Sequence, residues 1–147
     1  MKPTRTAAAI FAATCLIAPA VLAQDMTSYA FDGEFDDATF NVESAILDRG
    51  LVIDYVSHTG EMLTRTGADV GSDAVIFDNA DIFLFCSAVL SRKVMEADPS
   101  NIRHCPYAIF VTDRDGSVEI GYRHFPDGPM QEVQALLDDI SREAAEQ

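Results

Sequence analysis

Basic residues are scarce in this chain. Ten lysines and arginines stand against 24 aspartates and glutamates, for a formal charge of −14. A surface of that sign repels phosphate backbones, which excludes nucleic acid as a partner. Cysteine is nearly absent too, at three residues. None belongs to a CxxC pair, a CxxCH haem-attachment motif or a paired zinc set, so the strong cysteine signatures are missing. There is no Gly-x-Ser-x-Gly nucleophile elbow, no phosphate-cradling glycine loop and no zinc-protease helix. Carboxylates are too numerous to single out a catalytic pair. The expectation is a protein with no catalytic residue and no cofactor.

Long apolar runs are confined to the N-terminus. Lys2 and Arg5 make a positive region, Ala7 to Ala18 an apolar one, and Val21-Leu22-Ala23 a small-residue cleavage site. Residues 1–23 are expected to be a secretory signal peptide, too short and wrongly flanked for an anchor. Cys15 lies within it, but Ala13-Thr14-Cys15 lacks the leucine of a lipoprotein site. Cleavage removes Lys2 and Arg5 from the ten basic residues, so eight face 24 acidic ones, a formal −16. No later run approaches the roughly 20 apolar residues of a membrane span. The expected product, residues 24–147, is a single exported domain, periplasmic or secreted, without membrane contact. Its acidity fits solubility, and also docking to a basic periplasmic protein.

Periodicity then orders the chain. Tyr29-Ala30-Phe31 reads as a short strand. Phe35, Ala38, Val42, Ala45 and Ile46 keep helical spacing, with Asp36 and Asp37 in the first turn and Gly50 suited to the C-terminal cap. Leu51–Ser57 is a strand rich in Val, Ile and Tyr. Glu61–Thr66 reads as one or two helical turns. Ala68–Ala80 reads as an ordered loop with room for a turn of helix at Ala74–Phe77.

Ile82–Cys86 is an apolar strand, and Ser87 is a fitting N-cap for a short helix stopped by Pro99. Tyr107–Asp113 and Val118–Phe125 flank Arg114-Asp115-Gly116, a hairpin signal. In the last strand Val118, Ile120 and Tyr122 share one face, while Glu119, Gly121 and Arg123 share a wetter one. Pro129 opens a final helix striped by Met130, Val133, Leu137, Ile140 and Ala144. The order β-α-β-β-α-β-β-α predicts an α+β two-layer sandwich, a mostly antiparallel sheet with helices on one face.

The stretches GEMLTRTG, IFLFCSAVLSRKVMEADP and CPYAIFVTDRDGSVEIGYRHFP resemble the family called domain of unknown function 302. The matching features are the Phe-led first helix ending at Gly50, Cys86 before the short helix, Asp98-Pro99, Pro106 opening a strand, and the Asp115-Gly116 hairpin. The resemblance spans roughly residues 28–145. It implies a small two-layer α+β domain, often self-associating, with no settled activity. Some members carry a cysteine after the strand-opening proline, where this chain has Tyr107 and places Cys105 before Pro106.

Cys86 and Cys105 are the thiols left after cleavage, in a compartment that favours disulfides. If their strands were parallel neighbours, the sulfurs would sit on the order of 15 Å apart, beyond bridging distance. Antiparallel neighbours bring them together. Residues 98–104 span about 24 Å, enough for either. A structural bridge, inert thiols, and a redox or metal role all stay open, with the bridge expected. His58, His104 and His124 with the two cysteines are the candidates for a soft-metal or haem site. No pair of them has a known ligand spacing, and ordinary histidines are the simpler reading. Met62, Met95 and Met130 read as fillers of core gaps. The face of Tyr107, Ile109, Val118, Ile120 and Tyr122 reads as packed against helices, with a small-ligand pocket as its alternative. The 3,4,3,4 spacing of the last stripe resembles a coiled-coil seam and leads to a homodimer as the expected assembly. Two functions follow. One is an exported, non-enzymatic binding or interaction domain. The other is a periplasmic thiol-redox or metal- and haem-handling protein using Cys86, Cys105 and a histidine.

Overall fold

A computed structural model describes residues 25–147; the signal-peptide expectation and Cys15 lie outside them. The elements run β1 (Met26–Phe31), α1 (Phe35–Asp48), β2 (Val52–Ser57), α2 (Thr59–Gly67), β3 (Asn79–Cys86), α3 (Ala88–Ala97), β4 (Tyr107–Arg114), β5 (Ser117–Arg123) and α4 (Met130–Glu146). The five strands form one sheet in the order β1-β5-β4-β3-β2. Every neighbouring pair is antiparallel. This is the α+β sandwich that the periodicity predicts, with α2 as a full additional helix.

The core lies between the sheet and the α1–α4 layer. Alternation in β4 and β5 turns Tyr107, Ile109, Val111, Val118, Ile120 and Tyr122 inward, all buried. Ala38, Val42, Ala45 and Ile46 of α1 meet them, together with the α4 stripe. Met130 is 2% exposed and Val133, Leu137, Ile140 and Ala144 are 0%. That stripe is therefore consumed inside the chain and offers no seam to a second copy. The inward face of β4 and β5 is likewise packed against the helices.

Local chemistry sets the boundaries. Gly50 takes φ +69° after α1. Its N–H donates to the Leu47 carbonyl at 2.8 Å, and the Leu51 N–H donates to Ile46 at 3.4 Å, the paired bonds of a Schellman cap. Asp115 (φ 55°) and Gly116 (φ 76°) make the two-residue β4–β5 turn, matching the positive φ values a primed hairpin turn needs. Ser87 caps α3 by accepting from the Leu90 N–H at 3.3 Å. Gly60 brings α2 against the edge of β3 beyond the end of β2, where a Cβ would collide with the Asn79–Ala80 backbone.

Several boundaries differ from the sequence expectation. β1 begins at Met26 and β3 at Asn79, because the antiparallel partners Arg123 and Asp113 extend their ladders. The helical turn of the long loop sits at Ala68–Val70, not at Ala74–Phe77. Gly71 at φ 73° ends it, and Val75 and Ile76 are exposed with no core to join. β5 stops at Arg123, since the Phe125 N–H leaves the sheet to donate to Gln134 at 2.7 Å. α4 starts at Met130, one residue after Pro129, a difference within ordinary boundary scatter.

The packing assigns unequal energies to two leucines. Leu137→Ala should cost about 2–5 kcal/mol by leaving a core cavity. Leu47→Ala, at a site 50% exposed, should change stability by no more than about 0.5 kcal/mol. Denaturant unfolding of both variants checks this, and similar small losses would contradict the placement of α4.

Candidate functional site

The antiparallel β3–β4 pair carries the two thiols to one end of the sheet. Phe85 lies opposite Tyr107, so the end of β3 stands beside the start of β4. There Cys86 and Cys105 are joined by a disulfide with Cα atoms 6.7 Å apart, and both residues are half-buried. The bridge closes residues 87–104, which are held from within as well. Buried Asn101 donates its side-chain amide to the Val94 carbonyl at 2.9 Å. Asp98 accepts from the Ser100 N–H at 2.9 Å and from its hydroxyl at 2.8 Å.

The three histidines do not gather at that bridge, although His104 directly precedes Cys105. His58 stands at the other end of β2, since Val52 faces Cys86 and Ser57 faces Ile82. That is about 17 Å along the strand at 3.4 Å per residue. His58 Nδ1 lies 2.8 Å from Asp81 Oδ1, and this hydrogen bond raises its pKa. The pair borders an open groove of about 520 Å³ shared with Asp36, Glu61 and Arg65. His124 Nε2 lies 2.7 Å from Thr27 Oγ1. His104 sets its ring edge-on to Phe125, centroids 5.5 Å apart. Burial lowers its pKa, followed by the charges of Arg103 and Arg123.

Among the described residues no three His, Cys, Asp or Glu side chains gather at metal-binding spacing. Met130 fills the core and Met95 packs against it. Met62 is exposed instead, because α2 lies on the sheet edge and leaves that side to water.

The other face of the sheet holds a second feature. Ile82 and Leu84 alternate outward from Phe83 and Phe85, and Ala108 and Phe110 alternate outward from Tyr107 and Ile109. These four residues are half-buried and lie outside the core that α1 and α4 build on the opposite face. With Arg123 they line a cup of about 390 Å³. Val52 and Tyr55 of β2 and Met26 of β1 extend the apolar surface at either side, each exposed. Sequence reasoning placed Arg123 on the wetter face but did not connect it with this cup. The available signal was the unbroken apolar run IFLFC, which makes both faces of β3 apolar.

On the helical side, Asp138 of α4 ties the β1–β5 edge to the helix layer. Its Oδ1 accepts from the Tyr29 hydroxyl at 2.5 Å and from the Tyr122 hydroxyl at 2.7 Å. The hydrogen bond to Asp138, then burial, pushes Tyr29 up to about 12. Burial works to raise the Asp138 pKa, but both phenols and Arg142 outweigh it and hold the carboxyl below its ordinary value. A depressed folded-state pKa gives stability that is present above the unfolded-state value and lost as pH falls through the folded one. Asp138→Asn should therefore cost about 1–2 kcal/mol at neutral pH, a figure reduced by screening at a side chain 31% exposed. The variant should also lose less stability than the parent on acidification. Melting curves from neutral to acid pH test this, and parallel losses in both proteins would remove Asp138 from the account.

Comparison with known proteins bears on the fold. No curated protein matches the sequence. A solved structure, "Crystal structure of uncharacterized conserved protein DUF302 from Bacillus stearothermophilus", is similar at a TM-score of 0.62 and 15% identity. The match covers 84% of this chain and 95% of that one, and at such identity it supports the fold alone. The family described as "Domain of unknown function DUF302" matches residues 27–146, nearly all of the described chain, and the protein belongs to that family.

Proposed function

We propose that this chain is an exported, non-catalytic binding domain that engages its partner through the helix-free face of the sheet. The observation that carries the reading is the apolar set Ile82, Leu84, Ala108 and Phe110, left without a covering layer while the opposite face is fully packed. A contiguous apolar patch of this kind marks an interaction surface more often than isolated exposed residues do. Its flanks Val52 and Tyr55 are 71% and 63% exposed. A second copy of the chain is one macromolecular occupant of this surface. A basic exported protein suits the acidic helices instead, where α1 carries Asp36, Asp37, Glu43 and Asp48. A photo-crosslinking amino acid at Val52 or Tyr55, with another at Phe40 on the helix side, separates these cases in the exporting cell. Products from the sheet-face positions are expected, and twice the chain mass identifies a second copy. Products from Phe40 alone would overturn the reading.

The half-buried disulfide favours one second reading, thiol redox at Cys86 and Cys105 beside His104. An external dithiol would pass two electrons and two protons to the bridge, leaving two thiols and its own disulfide. A redox-active bridge should equilibrate with dithiothreitol under native conditions. A structural one should resist it, and replacing both cysteines by serine should cost about 3 kcal/mol for a loop of this length. Resistance together with that loss would dispose of the redox reading.

A further inference from the structure

The strand register turns the helix-free face into rows. One row runs Tyr55, Leu84 and Ala108 across β2, β3 and β4. The same register continues to Arg123 on β5, which lies opposite Met26 of β1. The next row runs Ser57, Ile82, Phe110, Gly121 and Ser28. Each row contains one small residue at a decisive place. Ala108 leaves a hollow between Leu84 and Arg123. Gly121 gives up its side chain so that the Phe110 ring can lie over β5; a Cβ there would run into that ring and into the Thr27 carbonyl. The hollow is the cup of about 390 Å³, walled by Ile82, Leu84 and Phe110, with Arg123 as its one charged group.

That size lies in the range of small-molecule sites, which are apolar with a few placed polar groups. Arg123 has no carboxylate within ion-pair distance among the described residues. A guanidinium at the mouth of an apolar hollow matches a carboxylate in charge and in its two-pronged geometry. Glu119, on the same face of β5, is four residues from Arg123, about 13 Å at the rise of a strand. That exceeds the Debye length of about 8 Å at physiological ionic strength.

We propose that the cup binds a small apolar monocarboxylate, with its chain over Ala108 between Leu84 and Phe110 and its carboxylate on Arg123. The inference rests on the helix-free face being the binding surface and names the chemistry of the ligand. The mature, disulfide-bridged protein is titrated with octanoate, and with 1-octanol as the neutral counterpart, by amide NMR. Octanoate should shift the amides of Leu84, Ala108, Phe110 and Arg123 as one saturable set. Arg123→Gln should weaken octanoate by about tenfold, the loss expected of one charged pair, and leave 1-octanol within about twofold. Ala108→Leu should fill the hollow and remove both. If that variant fails to fold, the exposed Arg123→Gln position decides alone. No saturable shift up to millimolar octanoate, or an unchanged affinity in Arg123→Gln, overturns the proposal. If sheet-face crosslinks persist in that case, only the ligand class is wrong; if they are absent too, the surface reading falls with it.

Discussion

The register of β3 against β4 pairs Phe85 with Tyr107 and Phe83 with Ile109, and thereby assigns every side chain of the two central strands to a face. Side chains alternate with period two, so a slip of one residue would exchange the faces completely. A slip of β3 would turn Phe83 and Phe85 away from α1 and α4, and a slip of β4 would do the same to Tyr107, Ile109 and Val111. The helices would lose the surface on which their apolar stripes are buried. The same register sets Cys86 beside Cys105 and places Ala108 next to Leu84 on the far side. Core, disulfide and cup are three consequences of one alignment.

Much of this arrangement was legible because local chemistry encodes it. The stripe of α4, the cap at Gly50 and the turn at Asp115-Gly116 each depend on residues close in sequence, and each formed where spacing placed it. What spacing could not state is which surface covers an apolar face. The α4 stripe reads as a coiled-coil seam because a helix stripe looks the same whether a sheet or a second helix receives it. The outward residues Ile82 and Leu84 were hidden inside an apolar run, since a strand apolar on both faces has no alternation to reveal them. The bond from Tyr29 to Asp138 joins residues 109 apart in sequence, and no local pattern anticipates it. Val75 and Ile76 show the converse error, with apolar residues that suggest structure but meet no partner.

The burial of the α4 stripe also changes the argument about assembly. The net charge of −14, from ten basic and 24 acidic residues, works against close approach of two copies. The helix layer carries much of that charge, on α1 and in Glu132, Asp138 and Asp139 of α4. On the other face of the sheet the cup residues Ile82, Leu84, Ala108 and Phe110 are apolar, with Arg123 the one charged group among them. The polar contacts of α4 bear on the same question. Asp138 is engaged by Tyr29 and Tyr122, and Glu143 by Arg49 at 2.7 Å. Those carboxylates are committed within the chain and are less available to a partner.

The disulfide and the cup cannot be treated as separate features. Cys86 follows Leu84 by one outward position on β3, and Cys105 precedes β4 just ahead of Ala108. The covalent link therefore stands at the end of the two strands whose separation sets the width of the hollow. Backbone pairing alone leaves the last ladder positions free to fray, because terminal hydrogen bonds open at little cost. A link between Cys86 and Cys105 opposes that fraying at the row next to Leu84 and Ala108, and so holds the wall and floor of the cup in place. On this geometry a purely structural bridge also shapes the cup. Its integrity sets how well formed the apolar hollow is, whatever occupies the face.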